Sequence, residues 1–85
     1  MRKEMFNHEI TILRDTYRRL LRRNARVNLV KLTGKTHPAD LAEVFRHFSK
    51  EEQFEIFSLM KENEHAAEFL VELDDALVIE LLENE

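Results

Sequence analysis

The sequence predicts an all-α domain in which one longer amphipathic helix precedes a run of short helical repeats. Three observations carry this prediction. The chain holds one Gly, one Pro and no Cys, so tight hairpin turns, Gly-rich phosphate loops, disulfides and thiolate metal sites are excluded. Phe6, Ile10, Leu13, Tyr17 and Leu20 recur at alternating spacings of four and three, the stripe of a helix over about residues 7–23. From Leu41 onward a second pattern repeats every 12 or 13 residues. With 85 residues, 44% of them apolar and 35% charged, this is one small domain, 1–85. At that size folding buries roughly 60–65% of the surface of the unfolded chain, so the helices must pack efficiently.

After the first helix, Asn24 interrupts the stripe and is expected to cap a short helix ending near Leu32, with Gly34 and Lys35 as its stop. Thr36 or His37 is expected to cap the next helix. Pro38 suits its first turn, where no intrahelical donor is lost. An apolar template of i, i+3, i+4, i+7 then matches Leu41, Val44, Phe45 and Phe48, and again Gln53, Ile56, Phe57 and Met60. It recurs as Ala66, Phe69, Leu70 and Leu73, and finally as Val78, Leu81, Leu82 and Glu85. Each unit has space for two to three helical turns and would be marginal alone, because helix nucleation is costly. Stacked on their neighbours, such units coil into a compact superhelix or solenoid. The corners are written in capping residues: Ser49 and Glu52 form a capping box, and Asn63 and Asp74 are cap candidates for the last two units.

Charge divides by position. Residues 1–35 carry ten basic and three acidic side chains, a net +7, while residues 36–85 carry three basic and fourteen acidic, a net −11. Docking of the basic helix onto the acidic half of the same chain is one expected use of this polarity. Arg18, Arg19, Arg22 and Arg23 are candidate contacts for an anionic partner, although net acidity and a single interleaved Tyr argue against nucleic acid. The apolar seam from Phe6 to Leu20 offers a homodimer contact, at under three heptads. The longest unbroken apolar run is Ala76–Ile79, far short of the ~18 residues of a membrane helix, and polar residues follow Met1-Arg2-Lys3 where a signal peptide needs an apolar stretch. The expected location is the cytoplasm, including the inner face of the membrane if a partner or transporter region holds it there.

No enzymatic constellation is expected. Ser49 and Ser58 are the only serines, and no loop is available to build an oxyanion hole beside either. Glu62-x-x-His65 has the spacing of a di-iron helix motif, but a single copy cannot complete such a site; Glu43 and His47 share a helix face at i, i+4. Mg2+ is a different case, because it keeps several waters and takes one or two protein carboxylates. Glu64, Glu68 and Glu72 form an i, i+4, i+8 ridge, with Asp75 at the next corner, and these four are the candidate Mg2+ face.

The segment His37-Pro38-Ala39-Asp40-Leu41-Ala42-Glu43, followed one period later by Ser49-Lys50-Glu51-Glu52-Gln53 and then by Glu68–Asp74, resembles the intracellular N domain of MgtE-type magnesium transporters. The resemblance covers residues 36–85. It implies a right-handed superhelix of short helices, placed in the cytoplasm beside a CBS-domain pair and a membrane pore, whose acidic face binds Mg2+ against that pair and favours the closed pore. His37, Pro38, Ala39 and Asp40 carry the family motif, and no catalytic residue is implied. The middle domain of the flagellar motor switch protein FliG has a similar His-Pro turn, which keeps open an alternative role as a protein-interaction adaptor that ignores divalent ions.

Overall fold

A computed structural model describes residues 7–61 and 63–84, and within them every element is a helix or a connecting turn. The helices are α1 (Asn7–Arg22), α2 (Arg26–Lys35), α3 (Pro38–Phe45), α4 (Lys50–Met60), α5 (Ala66–Val71) and α6 (Asp75–Glu83). The stripe of α1 turns inward as predicted, with Ile10 and Tyr17 buried and Leu13 and Leu20 packed beside them. Phe6, the first member of that stripe, lies outside the described residues.

Asn24 caps the other helix. Its φ of 52° is left-handed, and the Asn24 and Ala25 N–H groups donate to the carbonyls of Leu21 (3.1 Å) and Leu20 (3.0 Å), the paired bonds of a Schellman ending. It therefore closes α1 rather than opening α2, whose N-terminal Ala25 supplies no side-chain bond. Nor does Gly34 stop α2, which runs on to Lys35 without any left-handed Gly and ends where Thr36 turns extended. The hydroxyls of Thr33 and Thr36 donate back to the carbonyls of Leu29 and Leu32, both at 2.7 Å.

Pro38 disfavours helical dihedrals at the preceding residue, so His37 is extended and its Nδ1 accepts the Ala39 N–H at 3.1 Å. At the next corner the box closes in both directions: Ser49 Oγ accepts the Glu52 N–H at 3.2 Å, and Glu52 Oε1 accepts the Ser49 N–H at 2.8 Å. Asp74 Oδ1 accepts from Ala76 and Leu77, capping α6. Asn63 differs from expectation. Its Oδ1 accepts the His65 N–H at 2.7 Å and its carbonyl the Ala66 N–H at 3.1 Å, a turn that leads into α5 without being its cap.

The first two template sets are buried completely, Leu41, Val44, Phe45 and Phe48, then Gln53, Ile56, Phe57 and Met60. Gln53 fits an apolar position because its amide donates to the Phe45 carbonyl at 2.9 Å, which removes the penalty of burying it unpaired. The third set is looser, with Phe69 and Leu73 buried and Ala66 and Leu70 half-buried. The fourth fails in part: α6 buries Leu81 and packs Leu77 and Val78, while Leu82 is exposed and Glu85 lies outside the described residues. Edge-to-face rings run through the centre, from Tyr17 to Phe48 (5.8 Å), to Phe45 (6.4 Å) and to Phe69 (5.1 Å), tying α1, α3 and α5 together. Each such side chain contributes about 1.5–3 kcal/mol by leaving water.

Candidate functional site

The acidic half concentrates its charge at its end. Between residues 62 and 85 the sequence holds nine Asp and Glu and no Lys or Arg. Lys50, at the start of α4, pairs with Glu80 on α6. The candidate residues Glu64, Glu68, Glu72 and Asp75 are all exposed.

Their arrangement is not one continuous ridge. α5 spans only six residues, so Glu64 precedes it, Glu68 lies within it and Glu72 is its C-terminal cap. Glu68 and Glu72 still stand one turn apart, because Glu72 keeps helical dihedrals. Asp75 begins α6, beyond the corner that Asp74 caps. A residue outside the candidate set joins two of them: His65 faces Glu64 through Nε2 at 3.6 Å and Glu68 through Nδ1 at 3.5 Å. Its positions relative to those glutamates, one residue after and three before, were the available signal in the sequence.

Among the described residues no three His, Asp or Glu side chains gather closely enough to hold a metal ion. Exposed carboxylates are nevertheless the donor type that Mg2+ takes one or two at a time while retaining its waters. The two minor motifs dissolve. α3 ends at Phe45, which leaves His47 in a turn off the Glu43 helix face, and His65 lies in the turn before α5, with Glu62 outside the described residues.

The four arginines separate into two roles. Arg18 reaches across to the α3–α4 corner, donating from Nε to Glu52 Oε2 at 3.1 Å and from Nη2 to Glu52 Oε1 at 3.4 Å and the His47 carbonyl at 2.8 Å. Its guanidinium also lies 5.9 Å from the Phe48 ring centroid. The basic helix thus docks on the acidic half through this residue. Arg19, Arg22 and Arg23 remain exposed. The His37–Asp40 motif is built into a corner, with Pro38 buried, Ala39 and Asp40 half-buried and His37 exposed.

The Glu52 carboxyl would be pushed up by burial, but the Ser49 N–H, the Arg18 hydrogen bond and the Arg18 charge together hold it below its ordinary range. Tyr17 behaves oppositely. Burial raises its phenol, and the hydrogen bonds to Thr33 (3.4 Å) and Thr36 (3.3 Å) offset only part of that.

A family model described as the MgtE intracellular N domain matches residues 36–85. No curated protein and no solved structure matches the chain. The matched segment begins at the extended corner before Pro38 and takes in α3–α6, more than half of the sequence, and on this basis the chain belongs to the MgtE intracellular N domain family.

Proposed function

We propose that this chain is a non-catalytic regulatory domain of a magnesium transporter, sensing Mg2+ through Glu64, Glu68, Glu72 and Asp75 on the cytoplasmic side of the membrane. Membership in the family over residues 36–85 is the observation that carries the reading. The exposed carboxylates after Lys61, in a stretch without Lys or Arg, supply a physical reason for it. Two acidic surfaces repel until a divalent cation lies between them, so Mg2+ shifts the population toward the state in which they meet. The opposing surface is a CBS-domain pair or a pore-bearing region of the transporter. Packing of α1 on α3, α2 on α4 and α3 on α5 supports a superhelical arrangement of the repeats.

An amide NMR titration with Mg2+ at constant ionic strength, with K+ as control, tests the reading. Saturable shifts confined to residues 64–75 and absent with K+ are expected. Uniform shifts, or none, in the presence of the transporter's cytoplasmic region would overturn Mg2+ sensing in favour of a helical adaptor indifferent to divalent ions.

A further inference from the structure

The inner side of α2 delivers Leu29 and Thr33 to the core, and its outer side carries Val27, Val30, Lys31 and Gly34 at i, i+3, i+4 and i+7. Val27 is 67% exposed and Val30 48%. Two clefts meet at Leu59 along this helix, one of about 270 Å³ reaching Arg26 and Glu55, the other of about 350 Å³ lined by Val30, Gly34 and His65. Neither backbone conformation nor packing among the described residues requires a glycine at Gly34. Its φ is not positive, a Cβ there would meet nothing within 4 Å, and glycine inside a helix is costly beside alanine. What glycine permits in such a place is the close approach of another backbone.

The same chain displays a face of complementary character. α6 turns Leu77, Val78 and Leu81 inward and presents Ala76, Ile79, Leu82 and Glu83 outward, with Ile79 55% and Leu82 48% exposed. Exposed Arg26, Lys31 and Lys35 lie on α2 with the valines, and exposed Arg22 and Arg23 precede it, against Glu55 and Glu64 on the clefts. The segment bearing α6 contains no Lys or Arg and meets Lys50 of α4 at Glu80.

We propose that the outer face of α2 seats α6 of a second copy of this chain. The two patches differ, so the contact is heterologous: a pair leaves one α2 face free on one copy and one α6 face free on the other, and association closes into a ring or continues as an open stack. A lipid surface fits less well, since the exposed large apolar side chains among the described residues include no aromatic to anchor at an interface.

Sedimentation velocity of the 85-residue chain without divalent ions tests this. Association should rise with concentration and weaken as salt screens the charges. Val27→Asp with Val30→Asp blocks one face, Ile79→Lys with Leu82→Lys the other, and each pair should weaken self-association about tenfold or more while leaving the circular dichroism spectrum unchanged. Mixed, the two variants should form a one-to-one complex and nothing larger, because only one productive contact remains. Val30→Lys replaces the aspartate pair if that variant fails to fold. Gly34→Ala should raise the Tm and weaken association. A wild-type chain that remains at 10.2 kDa at millimolar concentration, an oligomer that survives both blocked faces, or a monomer that sediments only with anionic vesicles would each overturn the proposal.

Discussion

Glu52 is held from two directions, by the backbone of its own capping box and by Arg18, 34 residues away in sequence. Both contacts favour the ionised carboxylate, so the folded chain releases this proton more readily than the unfolded one. The resulting stability is fully present above the ordinary carboxyl value of 4.5 and is lost as pH falls through the lower folded value. Urea denaturation between about pH 3 and pH 7 should show this loss, and Glu52→Gln should flatten it while costing about 1 kcal/mol at neutral pH. The box was legible beforehand because its partners lie three residues apart. Arg18 was not, since no linear pattern chooses Glu52 over Glu51 as its partner.

Among the helices, α4 depends most visibly on its first turn. Ser49→Ala removes the acceptor for the Glu52 N–H, and we expect a loss of about 1 kcal/mol, read from thermal denaturation by circular dichroism. Asp74→Ala serves as the comparison at α6, where the cap satisfies two donors but, among the described residues, no long-range contact shares its carboxylate. Helix existence was readable from apolar spacing, and caps followed by a helix start, Ser49 and Asp74, were readable from residue type. Asn24 misled because the same side chain suits either end of a helix, and only the left-handed backbone distinguishes them. The α5 ridge misled because the spacing of four was extended past a helix of six residues.

At the level of the whole molecule, the family match and the core have different boundaries. The matched segment starts at residue 36, yet Ile10, Tyr17 and Leu29 belong to the same buried cluster as Phe45, Ile56 and Phe69. Helices α1 and α2 cover α3 and α4, so residues 36–85 alone would expose the faces of Phe45, Phe48 and Leu59. That segment is expected to melt without a cooperative transition, in contrast to the 85-residue chain; a sharp transition in the fragment would contradict this account. The repeat period announced short stacked helices, but which helix packs on which depends on corner angles that periodicity does not encode. The family motif was legible for the same reason the corner is, because His37, Pro38 and Ala39 act on one another locally.

Tyr17 is the only tyrosine in a chain without tryptophan, and its ring is fully buried. Because burial holds its phenol above the ordinary value of 10.0, its contribution to stability is complete below that pH and falls away above it, where only the opened chain ionises readily. The fold thereby contains its own optical reporter: in alkaline solution, phenolate absorbance marks the molecules whose α1 has come away from α2 and the Phe48 ring, with no label attached.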